Sequence, residues 1–148
     1  GHGLYWPDLI VGDRFRTSKR TLTEADLVNF ISVTGMLEEL FIDATYDGGA
    51  VAGRLVPAAL TYSLIEGMLL QTMIQGTGLA LLEASMKARA PVRVGDTIFA
   101  NVTVVGIRPT SQHNRAIVTS DVEILNQNAA AVMTYTVVRM LAGRPSKE

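Results

Sequence analysis

The 148-residue chain contains no cysteine and only two histidines, His2 and His113. Without thiols it has no disulfide, no thiolate nucleophile and no thiolate zinc site. A histidine-based triad or metal cluster would have to rest on His113, which falls in an expected turn. Charge of one sign is also lacking. Thirteen Lys and Arg stand against fourteen Asp and Glu, a net charge of −1, so no strong pull toward nucleic acid or an anionic membrane is expected. No signal-peptide pattern is visible at the start, and the cytoplasm is the default compartment. The longest apolar stretch, Leu55 to Ile74, is interrupted by Pro57, Glu66, Gly67 and Gln71. It reads as a buried helix rather than a membrane span.

What is present argues for a packed domain. Apolar residues make up 48% of the chain and charged residues 18%, which excludes disorder for most of its length. The length suits a single domain over residues 1–148 that buries about two thirds of its unfolded surface.

Local patterns then divide the chain. The Gly12-Asp13 turn and the odd positions Phe15, Thr17 and Thr21 predict an entry loop and a first strand. Thr23, followed three residues later by Asp26, predicts a capped helix start, and Gly35 its end. Residues 36–53 are acidic and turn-rich and read as a loop with one helical turn. Pro57 is expected at the first position of a long helix, where its missing amide costs no hydrogen bond. That helix is apolar on most faces, so it should be enclosed on most faces, and Gly76 and Gly78 should end it. Four strands follow, at 79–92, 97–107, 114–125 and 130–140. Ile98, Ala100, Val102 and Val104 share one face of the second, and Met133, Tyr135 and Val137 share one face of the last. Short turns between them mean antiparallel pairing. The economical packing is α+β: a curved antiparallel sheet wrapped around the helix, with the exposed edge and the helix flank covered by dimerisation.

Four segments, WPDLIVGDRF (6–15), TEADLVNFISVTG (23–35), APVRVGDTI (90–98) and EILNQNAAAVMTY (123–135), flank the central helix in an order that resembles the MaoC-like dehydratase family, which includes the (R)-specific enoyl-CoA hydratases. The resemblance spans nearly the whole chain. It implies a hot-dog fold, a homodimer, and an acyl-CoA thioester bound between the central helix and the preceding loop, with no cofactor beyond the coenzyme A of the substrate. Catalytic members carry Gly-Asp-x-Asn-Pro-x-His after the first helix. Here the stretch reads GMLEELF: Gly35 is kept, Met36 replaces the Asp, Glu38 the Asn, Glu39 the Pro and Phe41 the His. Neither Met36 nor Phe41 moves a proton.

Several residues remain as candidates. The amides near Ala58 and Ala59, just after Pro57, lack intrahelical acceptors and match the family's oxyanion position; the alternative is a solvated helix start. Glu66, among Leu64, Ile65, Met68 and Leu69, is either paired, solvent-facing, or a base. It lies about 12 Å along the helix from Ala58, so acting on the same thioester requires the second subunit of a dimer, as in some hot-dog thioesterases. Glu38 is the replacement water activator by position, in a stretch where six acids and no cation separate Arg20 from Arg54; the alternative is a solvated acidic loop. Lys87 and Arg89 share a strand face, and with Arg93 and Arg54 they are candidates for the coenzyme A phosphates, or are simply surface cations. Three functions follow: an enoyl-CoA hydratase or dehydratase with an atypical site, a thioesterase using Glu66, and a non-catalytic acyl-CoA-binding or structural subunit.

Overall fold

The computed structural model describes residues 3–46 and 53–146. The expected first strand is split into β1 (Arg14–Arg16) and β2 (Arg20–Thr21), both short. Helix α1 (Glu24–Thr34) follows, with the cap its sequence foretells. Thr23 Oγ1 accepts from the Asp26 amide at 3.2 Å, and the Asp26 carboxylate accepts from the Thr23 amide at 2.9 Å. Gly35 ends the helix at φ 76°, in the left-handed region that favours glycine. The acidic loop contains one helical turn, α2 (Glu39–Ile42). Part of that expected loop, residues 47–52, lies outside the described residues.

The long helix α3 (Ala58–Gln71) departs from expectation at both ends. Pro57 is the cap residue just before the helix, with φ −60° and ψ 142°, rather than its first helical residue. The exit comes at Gln71 instead of at the glycines. Residues 72–77 form turns pinned by the N-terminal segment, where Gly3 and Leu4 donate to the carbonyls of Gln75 and Met73. Those long-range bonds leave no trace in local sequence.

Strands β3 (Gly78–Ala88), β4 (Thr97–Pro109), β5 (Arg115–Leu125) and β6 (Ala131–Ala142) complete an antiparallel sheet in the order β1-β4-β5-β6-β3, with β2 also on β4. The turn into β4 carries Gly95 at φ 97°. Alternation decides which face is buried. Ile98, Ala100, Val102 and Val104 are buried, as are Met133, Tyr135 and Val137, and they meet Leu60, Ile65 and Leu69 of α3 in one core.

Enclosure of α3 leaves one flank open, as expected of a helix this apolar. Within one chain Leu60, Thr61, Ile65 and Leu69 are buried, while Leu70 on the opposite flank is 51% exposed. Strand β3 is the sheet edge, exposed along nearly all its length, with Leu79, Leu81, Leu82 and Met86 open to solvent. No helix among the described residues is long and apolar enough to cross a membrane.

A cleft at the start of the central helix

Segment 54–56 delivers the chain to α3 under restraint. The Val56 amide donates to Val92 O and the Val94 amide to Arg54 O, both at 2.9 Å, which ties this segment to the turn after β3. A cleft of about 310 Å³ opens here, walled by Val56, Ala58 and Thr61 on one side and by Ala88, Arg89, Pro91 and Met133 on the other. Among the described residues, neither a capping side chain on Pro57 nor a first-turn acid compensates the helix start. Leu60 and Thr61 donate back to Pro57 O, so the amides of Ala58 and Ala59 are left at the positive end of the helix dipole. Such a cradle favours an oxygen that gains negative charge.

The remaining candidates are dispersed around this point. Arg89 borders the cleft and donates to Thr134 Oγ1 at 3.1 Å. Lys87 lies on the outer sheet face, in a groove of about 470 Å³ that also contains Arg14, Arg89, Asp121 and Glu123. Cations there face carboxylates, which weakens the groove as an anion site. Arg54 binds the Glu24 carboxylate at 2.6 Å and Phe41 O at 2.5 Å, holding α1, α2 and the helix entry together. Its bonds hold Glu24 below the usual carboxylate range. Arg93 sits in the turn into β4, where its amide donates to the Asp96 carboxylate and its side chain lies against Gly53. Met36 is 40% exposed, Phe41 packs against the core, and Glu38 is exposed just before α2.

Glu66 is away from the cleft, under the middle of α3. Both of its oxygens accept from Arg139, at 2.7 and 2.5 Å, and one also accepts from the Tyr135 hydroxyl at 2.7 Å. Burial first, and then the Glu66 charge, push the Tyr135 hydroxyl pKa up. Tyr62 meets the Tyr135 ring edge-on at 5.0 Å. Sequence reasoning missed this cluster. The available signal was Arg139, the only charge in the apolar run 131–142. Also missed was Thr61, a buried residue whose hydroxyl has no partner.

Comparison with known proteins decides the family. The model of the FAS1-like dehydratase domain region matches residues 9–135. The chain belongs to this family. The sequence of this dehydratase-region chain is 30% identical over 106 residues to an (R)-specific enoyl-CoA hydratase of Rhodospirillum rubrum, covering 71% of the chain and 72% of that protein. It is 31% identical over 124 residues to a 3-hydroxybutyryl-CoA dehydratase of Methylorubrum extorquens, covering 80% and 75%. Among solved structures, the (R)-hydratase of Aeromonas caviae superposes with a TM-score of 0.75 at 25% identity, covering 92% of this chain and 98% of that one. A Mycobacterium tuberculosis protein described as a double hotdog fold superposes at 0.82, with 99% and 46% covered and 19% identity. The dehydratase-region chain is thus an α+β hot-dog fold, the curved sheet holding the helix.

Proposed function

We propose that the protein binds an acyl-CoA thioester at the start of α3 and acts on it as an enoyl-CoA hydratase or dehydratase with an atypical proton-transfer group. The observation that carries this is the open cleft at an uncapped helix start, in a chain whose relatives are named for enoyl-CoA hydration and 3-hydroxybutyryl-CoA dehydration. The thioester oxygen is received by the Ala58 and Ala59 amides. As water adds, charge passes to that oxygen, and the helix dipole stabilises it there. Met36 and Phe41 stand where the family motif has its Asp and His, so the water must be activated by another group. Glu38 supports this role better than Glu66: it is exposed on the same loop, whereas both Glu66 oxygens are taken up by Arg139 and Tyr135. That engagement also weighs against the thioesterase reading. The working unit is a homodimer, a second copy covering Leu81 and Met86 on the β3 edge and the Leu70 flank.

Consumption of the enoyl-CoA ultraviolet absorbance without thiol release is the expected result, reduced strongly by Glu38→Gln. Thiol release from saturated acyl-CoA would transfer the reading to a thioesterase. A second reading, a binding subunit without catalysis, is favoured by Phe41, which is packed on the core where a proton carrier would stand. Calorimetric binding with neither turnover signal selects it.

A further inference from the structure

Helical threonines ordinarily discharge their hydroxyl onto the carbonyl four residues back. Thr34 does so to Phe30 O at 2.6 Å, and Thr72, at the exit of α3, does so to Met68 O at 2.7 Å. Thr61 does not. The carbonyl within its reach, Pro57 O, already accepts from the amides of Leu60 and Thr61 itself. Its Oγ1 is therefore buried and unpartnered, in a residue only 1% exposed. A buried hydroxyl without a hydrogen bond is costly to keep. Thr77 is the other such case among the described residues, but Thr61 lines the cleft at the helix start together with Ala58.

Residues three apart on a helix share a face. Thr61 therefore lies about 4.5 Å further along the axis than Ala58, on the side from which a ligand reaches the helix-start amides. An acyl group whose carbonyl rests on the Ala58 amide passes the Thr61 hydroxyl a short way beyond the thioester.

We propose that Thr61 is a specificity-determining residue whose hydroxyl hydrogen-bonds an oxygen carried by the acyl group near the thioester, so that the cleft selects hydroxyacyl thioesters over plain hydrocarbon ones. This rests on the acyl-thioester reading above. A plain acyl chain leaves the hydroxyl unsatisfied, whereas a hydroxyl substituent satisfies it. Discrimination arises from that difference.

The test is calorimetric titration of the full chain and its Thr61→Val and Thr61→Ser variants with 3-hydroxybutyryl-CoA and butyryl-CoA. The wild type should prefer the hydroxyacyl ligand. Thr61→Val, which keeps shape and removes the hydroxyl, should cut the preference for 3-hydroxybutyryl-CoA over butyryl-CoA by about tenfold, while Thr61→Ser restores the preference. Thermal melting of Thr61→Val at or above the wild-type temperature excludes loss of fold as the cause, and Thr61→Ala replaces it if the valine is not accommodated. Equal binding of both ligands by the wild type, or a preference that survives in Thr61→Val, overturns the assignment of Thr61 and leaves the acyl-thioester reading standing. Failure of the wild type to bind either ligand overturns both.

Discussion

Glu66 and Arg139, 73 positions apart, form a two-pronged ion pair beneath the central helix, each side chain about nine-tenths buried. The Tyr135 hydroxyl adds a third bond to the same carboxylate. The pair fastens the middle of α3 to strand β6, and its value lies in mutual satisfaction: a buried charge without its partner is far costlier than the intact pair.

Arg139→Met should therefore destabilise the protein by ~3–5 kcal/mol, because it leaves the Glu66 carboxylate uncompensated. The double variant Glu66→Met/Arg139→Met should recover most of that loss. Urea unfolding measures both. A wild-type midpoint for the single variant would show that the carboxylate finds water instead of the guanidinium.

The helix-start cradle is open to a substitution that removes one amide. Ala58→Pro deletes the N–H at the first helical position, where proline is tolerated. Pro57 already holds the extended ψ that a following proline requires. Enoyl-CoA turnover should fall by about 10²–10³-fold with little change in thermal stability, the loss typical of one oxyanion donor. Full activity in a folded Ala58→Pro protein would mean that the carbonyl sits elsewhere.

Leu81 is 53% exposed on β3, so Leu81→Lys should cost the isolated fold little. If a second copy covers this edge, the substitution places a charge in a desolvated contact. Sedimentation should then show a monomer where the parent chain is a dimer. A variant that sediments like the parent would show that no second copy depends on this edge.

Acid should weaken the fold through two surface carboxylates. Hydrogen bonds from Arg54 lower the pKa of Glu24, and those from Arg144, with the Tyr5 amide, lower that of Asp8. In both cases the folded value lies below the unfolded one. The stabilisation is complete above the unfolded carboxylate range, near about pH 4, and is lost as pH falls through the folded values. Urea midpoints should decline below about pH 4, less so in Glu24→Gln. A pH-independent midpoint in that window would contradict the sign.

Legibility in the sequence followed the range of the interaction. The α1 cap needs only Thr23, Asp26 and Gly35, all local, and could be read directly. The two faces of β4 and of β6 follow from a period of two and were equally readable. The exit of α3 was misplaced because Gly3 and Leu4 set the turns at 72–77 from the far end of the chain. Glu66 was recognisable as anomalous, but its partner was not, since sequence spacing carries no information on which strand lies under which helix turn. Thr61 drew no notice, because an unpartnered hydroxyl is defined by what surrounds it.

By itself, the sequence determined the elements, the apolar faces that must meet, and the family. Tertiary structure decided that Glu66 is satisfied by Arg139 and Tyr135, that Arg54 is committed to Glu24 and Phe41, and that a cleft remains open beside Ala58 and Thr61. The physical reason is that backbone propensity and periodicity act over a few residues. Charge compensation, burial and the shape of a cavity are instead set by groups that only folding brings within a few ångströms of one another.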